Sequence, residues 1–329
     1  MRRREFITLV GGAAAGLPCM ARAQQPQRMR RIGILMPYAE SEQEAQDRVA
    51  TFLEQLGKLG WTEGRNIRID TRWATSGVER IEHLAQELVA LKPDLLLSAN
   101  TLTTEVLLKL TQSIPIVFAT VVDPIGSGFV ASLPRPGGSA TGFTNLEGSI
   151  AGKWLELLKE IAPGVNRAAF LFNPAAAPYA EIYLTPFRAA AASLAVEAIA
   201  APVGDTPELE AAVAALAHAP DGGLIVMPGL FIASRTDVTS LAASHGLPAI
   251  YPFRYYAELG GLMSYGNDQA DNYGRAAVYA DRILKGEKPG ELPVQAPVKF
   301  ELTINLKTAK ALGLDVPLRL QQQADAVIE

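Results

Sequence analysis

Few residues in this sequence are placed to make or break bonds. The three histidines, His83, His218 and His245, lie far apart, with no cysteine or carboxylate at metal-ligand spacing. No Gly-x-Ser-x-Gly elbow presents a serine nucleophile. Neither Gly-x-Gly-x-x-Gly nor Gly-x-x-x-x-Gly-Lys-Ser/Thr follows a strand to cradle phosphates. What the chain offers is hydrogen-bonding and stacking groups at strand ends. Asn100, Thr101, Thr103 and Thr104 sit where an apolar strand, Asp94 to Ser98, gives way to a helix. Hydroxyls and free N–H groups there would receive a carboxylate without a cationic side chain, or would simply cap the helix. Asp123, after the next strand, would receive an ammonium group or cap its own Asp-Pro turn. Asn173 ends a later strand, and Asp268, in Gly266-Asn267-Asp268, is a second acidic candidate with a helix cap as its alternative. Tyr38, Phe231, Tyr251, Phe253 and Tyr265 follow or end strands, and about two or three of them are expected to stack on a ligand. The set describes a binding protein, not an enzyme, with no metal and no cofactor.

The elements that must position these residues alternate. Arg31 to Pro37 reads as a buried strand. Ser41 is the expected N-cap of a helix, with Glu44 as capping-box partner, and Val49, Phe52, Leu53, Leu56 and Leu59 fall at helical spacing. Gly60 ends that helix. Strands at Ile67–Trp73, Asp94–Ser98 and Pro115–Ala119 then alternate with a helix at Val78–Leu91 and, after the junction Ala99-Asn100-Thr101-Leu102-Thr103-Thr104, a third helix through Leu110. Such β–α repeats predict parallel strands with crossover helices. From Pro115 to Asn145 the pattern changes: a strand, an Asp-Pro turn, a Gly- and Pro-rich excursion, and a second short strand, Ala140–Phe143, leading into Asn145. That is how a chain leaves one α/β lobe for another. The alternation restarts with a helix at Ile150–Ile161 and strands near Ala168–Asn173, Val196–Ala200, Gly223–Met227, Pro248–Tyr251 and Leu262–Tyr265. The fold class expected is therefore α/β, two Rossmann-like lobes with parallel sheets joined by a hinge of several crossings. Residues 30–143 plus 266–329 are expected in the first lobe and 144–265 in the second, with ligand in the crevice beyond the strand ends.

At 329 residues the chain is long for a single core. Its 49% apolar and 19% charged content is ordinary for a globular protein. The first 23 residues read as a targeting segment: Arg3-Arg4-Glu5-Phe6-Ile7 resembles the twin-arginine export signal, Thr8 to Leu17 is apolar, and Ala21-Arg22-Ala23 is a small-x-small cleavage pattern. Removing it leaves 26 basic against 33 acidic residues, a net charge of −7, which argues against nucleic acid as a partner. Cys19, the single cysteine, falls within that segment, and Gly16-Leu17-Pro18 fits a lipid-attachment site poorly, so no lipid anchor is expected.

Four motifs carry a resemblance: Gly57-Lys58-Leu59-Gly60-Trp61 with Gly64 and Asn66; Pro115-Ile116-Val117-Phe118 with Asp123-Pro124; Pro136-Gly137-Gly138 with Thr141-Gly142; and Ile304-Asn305 with Ala309 and Leu312-Gly313. On these the chain resembles the type I solute-binding proteins of ABC transporters, in the subfamily whose better-known members bind tryptophan and related aromatic amino acids. The resemblance implies a monomeric periplasmic receptor that closes on a small solute, aromatic or carboxylated, and presents it to an ABC permease and ATPase. A sensory module signalling to a membrane kinase or chemoreceptor is the alternative; an exported enzyme ranks behind both.

Overall fold

Strands that are apolar on both faces set the architecture, and the helices supply the second layer on each side. The computed structural model describes residues 28–74, 77–175, 177–229 and 235–329. The targeting segment and Phe231 lie outside them. The first sheet holds β1 (Arg30–Met36), β2 (Ile67–Trp73), β3 (Leu95–Asn100), β4 (Ile116–Val121) and β5 (Ala140–Thr144), in the order β2-β1-β3-β4-β5 and all parallel. Its connecting helices are α1 (Gln43–Lys58), α2 (Val78–Ala90) and α3 (Thr101–Leu110). Alternation along each strand divides the packing. Ile32, Ile34, Leu95, Leu97 and Val117 join Val49 and Phe52 of α1 on one face. Leu35, Leu96, Ile116 and Phe118 join Leu84 and Leu88 of α2 on the other.

The start of α1 departs from the sequence expectation. Residues 40–41 form a turn, the helix begins at Gln43, and Glu42 occupies the N-cap position without a side-chain cap bond. The Glu42 carboxylate instead accepts from the Ala39 N–H at 2.9 Å.

The second lobe follows as α4 (Ile150–Ile161), β6 (Arg167–Phe172), α5 (Glu181–Ser193), β7 (Glu197–Pro202), α6 (Thr206–Ala217), β8 (Gly222–Val226), α7 (Arg235–Ser244), β9 (Ala249–Tyr251), α8 (Arg254–Glu258) and β10 (Met263–Asn267). The chain ends with α9 (Gln269–Leu284), β11 (Phe300–Asn305), α10 (Leu306–Ala311), α11 (Leu318–Gln323) and β12 (Ala326–Ile328). The second sheet runs β12-β11-β10-β9-β8-β6-β7, parallel except for the antiparallel pair β10/β11.

Residues 266–329, expected together in the first lobe, are thus divided. Tyr273, Ala276, Ala277 and Ala280 give α9 a stripe at helical spacing that packs with Ile32, Val49 and Phe52 of the first lobe. Alternate residues of β11, Leu302 and Ile304, enter the second core beside Met263, which carries β11 and β12 into the second sheet. The chain therefore crosses between lobes three times: after β5, between β10 and α9, and on the way to β11.

Each crossing is gripped by side chains. From the first lobe, Asn272 Nδ2 donates to the carbonyls of Ala119 and Thr144 at 3.0 and 3.1 Å, and the Tyr279 hydroxyl donates to that of Pro293 at 2.6 Å. From the second, Trp154 Nε1 donates to the Tyr265 carbonyl and the Tyr183 hydroxyl to that of Leu146, both at 2.6 Å. The first and third crossings are also zipped together, since the Gln295 N–H bonds to the Gly142 carbonyl at 3.0 Å and the Thr144 N–H to that of Gln295 at 2.9 Å.

Candidate functional site

The carboxyl ends of the strands in both sheets open onto one cleft of about 320 Å³. This is where a doubly wound α/β arrangement leaves room for a ligand, because the loops at those ends splay apart. The first lobe supplies Tyr38 after β1, Asn100 and Thr101 after β3, and Thr120 and Val122 around the end of β4. The second supplies Asn173, Tyr179, Phe253, Tyr255 and Tyr256, while Asn145 and Gln269 come from the crossings.

At the start of α3 the cap geometry is complete. Asn100 Oδ1 accepts from the Thr103 N–H, and the Asn100 N–H donates to Thr103 Oγ1, both at 3.0 Å. The first N–H groups of any helix lack intrahelical acceptors, so the turn at Thr101 and Leu102 presents donors and the positive end of the helix dipole to the cleft. Thr101 Oγ1 accepts from the Val122 N–H at 3.0 Å, which fixes this corner to the end of β4.

Among the described lining residues Glu105 alone carries a formal charge, and it is exposed and paired with Lys109 at 2.7 Å. Arg48 lies behind the wall, with its guanidinium 5.3 Å from the centre of the Tyr38 ring. Among the described residues no group of three His, Cys, Asp or Glu could hold a metal ion.

Tyr179 joins the lobes at the cleft. Burial pushes its hydroxyl up to about 12; the nearby Tyr38 acts in the same direction, while a hydrogen bond with Thr101 of the opposite lobe opposes it. Burial likewise raises Tyr183, Tyr251 and Tyr273. An unfolded tyrosine ionises near 10, so between about pH 10 and 12 the unfolded chain holds fewer protons than the folded one. This contribution to stability is full below about pH 10 and is lost as pH rises toward 12. Urea unfolding midpoints are expected to stay level from pH 8 to 9.5 and to fall steeply at pH 11.

The structure sorts the sequence candidates. Tyr38, Asn100, Thr101, Asn173 and Phe253 line the cleft together. Thr104 does not: it is wholly buried, with its hydroxyl donating to the Asn100 carbonyl at 2.7 Å. Asp123 lies in an outer groove between α3 and the Gly126–Gly138 excursion, and its Oδ1 accepts from the Gly126 N–H at 2.8 Å. Tyr251 is core, stacked 5.0 Å from Tyr256, which is the ring that reaches the cleft. Tyr265 faces a different depression and stacks on Phe300 at 6.0 Å. Asp268 caps α9 through the N–H groups of Ala270 and Asp271 and pairs with Lys299 at 2.7 Å. Residues not singled out by sequence, among them Tyr179, Tyr255, Tyr256, Asn145 and Gln269, also line it. The one cue for Tyr255 and Tyr256 was their closeness to Phe253, itself a candidate; three residues separate Tyr255 from the end of β9.

Comparison with known proteins agrees with this arrangement. The sequence model of the ABC transporter substrate binding protein family matches residues 40–328. A tyrosine-binding protein of Clostridioides difficile (strain R20291) is 26% identical over 263 residues, covering 80% of this chain and 75% of the relative. A crystal structure of a conserved domain protein from Vibrio cholerae superposes with a TM-score of 0.82 at 25% identity, covering 91% of this chain and all of that one. A Streptococcus pneumonia ABC domain in complex with L-Trp gives a TM-score of 0.83 at 24% identity, over 91% of this chain and 99% of that one. With a family match spanning nearly its whole described length and the two-sheet fold of the type I periplasmic binding proteins, the chain belongs to the ABC transporter substrate binding protein family.

Proposed function

We propose that this protein is the exported receptor of an ABC importer and that it captures an aromatic amino acid between its lobes. The observation that carries the reading is the make-up of the cleft. Aromatic rings from both lobes surround a space that holds no cationic side chain among its described lining residues and that ends on the first turn of α3. Flat apolar groups gain from such walls by burial and offset stacking. A carboxylate at the helix start needs no arginine or lysine. The C. difficile relative, whose name specifies tyrosine, and the L-Trp complex support the same ligand class.

In this reading the solute binds the closed form better than the open form and so shifts the hinge equilibrium, and a permease reads the closure. Export through the twin-arginine-like segment places the receptor outside the cytoplasmic membrane. No helix among the described residues is long and apolar enough to cross a membrane. The test is thermal unfolding of the mature chain against a panel of amino acids, carboxylates and sugars. A ligand present at 100 times its dissociation constant adds about 2.7 kcal/mol. Stabilisation by tryptophan, tyrosine or phenylalanine, and not by sugars or aliphatic amino acids, is the expected pattern. Stabilisation by a sugar alone would refute the ligand class.

A further inference from the structure

Most polar side chains that line the cleft have spent their oxygen atoms on the protein itself. Asn100 Oδ1 accepts from Thr103, Asn173 Oδ1 from Ala175 at 2.9 Å, and Thr101 Oγ1 from Val122, while the Thr120 hydroxyl donates to the Ala99 carbonyl at 2.6 Å. Asn145 is different. It lines the cleft, is 7% exposed, and its Oδ1 has no hydrogen-bond partner. Other unpartnered buried groups, such as Asn267 and Asn272, lie outside the cleft lining. A buried acceptor without a donor is costly and uncommon, and in a binding cleft it marks where a ligand donor belongs.

Resting on the reading of this cleft as an aromatic amino-acid site, we propose that Asn145 selects for the ligand's amino group, accepting a hydrogen bond from the ammonium at Oδ1 while the start of α3 receives the carboxylate. The nearby acids are committed elsewhere. Asp123 closes its own turn in the outer groove, Asp268 is held by α9 and Lys299, and Glu105 is neutralised by Lys109. A neutral acceptor suits a zwitterion, because it takes the ammonium without adding a buried negative charge to the empty cleft.

The position also ties ligand to hinge. The Asn145 N–H bonds to the Val121 carbonyl of the first lobe at 2.8 Å, and the carbonyl of the next residue, Leu146, accepts from Tyr183 of the second. A ligand held at Asn145 therefore acts on the first crossing itself.

The experiment is titration calorimetry of the mature protein and its Asn145→Ala and Asn145→Asp variants. The probes are L-tryptophan and L-tyrosine, each paired with the same acid lacking the amino group, indolepropionate and hydroxyphenylpropionate. A hydrogen bond to a charged group predicts that the natural protein prefers the amino acid by about 10- to 100-fold. Asn145→Ala is expected to remove most of that preference while leaving the amine-free acids within about threefold. Asn145→Asp is expected to retain or raise it, and it carries the test if the alanine variant fails to fold: loss of preference in the aspartate variant contradicts the proposal. Equal weakening of both probe types by Asn145→Ala, or no change, overturns the role of Asn145 and leaves the receptor reading standing. So does a natural protein that binds the amine-free acids as tightly as the amino acids. Failure of the natural protein to bind either amino acid overturns the ligand class itself, and this inference with it.

Discussion

Gly142→Ala is expected to lower the melting temperature by about 4–12 °C, from a cost of roughly 2–6 kcal/mol at about 2 °C per kcal/mol for a chain of this size. Gly142 sits in β5 with φ at +150°, where a side chain is strained by about 1–3 kcal/mol. A Cβ there would lie 2.0 Å from the Phe118 carbonyl oxygen and 2.7 Å from its amide nitrogen. Both atoms are backbone in the neighbouring strand β4, so no rotamer change relieves the clash and the strands must separate. Overpacking of this kind adds about 1–3 kcal/mol more. The consequence reaches the hinge, because the Gly142 carbonyl accepts from Gln295 and so joins the first crossing to the third. Gly57→Ala makes the contrast. Gly57 lies inside α1 with nothing within 4 Å of where an alanine methyl would sit, and alanine there is expected to stabilise by about 0.5–1 kcal/mol. Differential scanning calorimetry of the two variants reads both signs.

Trp154→Ala is expected to cost about 3–5 kcal/mol, the range for removing a large buried aromatic ring. Trp154 is wholly buried in α4, stacked on Tyr183 at 6.1 Å and tilted against Phe170 at 6.2 Å. Its N–H holds the Tyr265 carbonyl in β10, and its stacking partner Tyr183 holds the Leu146 carbonyl in the first crossing. One aromatic pair of the second lobe therefore grips two of the three crossings. Trp154→Phe separates the effects: most of the buried area remains, the Tyr265 carbonyl loses its donor, and the expected cost is about 1–3 kcal/mol. Denaturant unfolding measures both. Equal costs for the two substitutions would mean that the indole N–H, not the ring, dominates.

The lobes were legible because their strands are short apolar runs separated by helical periodicity; β1 was read to within one residue at each end, and β3 and β4 were found but each read two residues short at its carboxyl end. The end of the chain was not. Whether β11 returns to the first lobe or extends the second sheet depends on its antiparallel pairing with β10, a non-local choice that local periodicity does not encode. The site divided along the same line. Asn100 and Thr101 were legible because a strand-to-helix junction presents its first turn whatever lies opposite. Tyr255 and Tyr256 reach the cleft from a five-residue helix, α8, too short to show a pattern. Tyr179 was hidden for a different reason: it faces the cleft only because the second lobe folds back over Thr101. Asp123 and Asp268 show the opposite error, in which an acidic side chain that reads as a ligand group serves the backbone beside it.

In the function proposed here, a small aromatic amino acid holds two lobes together through a cleft they share. Small-angle scattering of the mature protein, with and without saturating L-tryptophan or L-tyrosine, tests it most directly. Capture by closure predicts a smaller radius of gyration with ligand, and no change with a sugar at the same concentration. An unchanged radius with an amino acid that calorimetry shows to be bound would contradict closure as the means of capture.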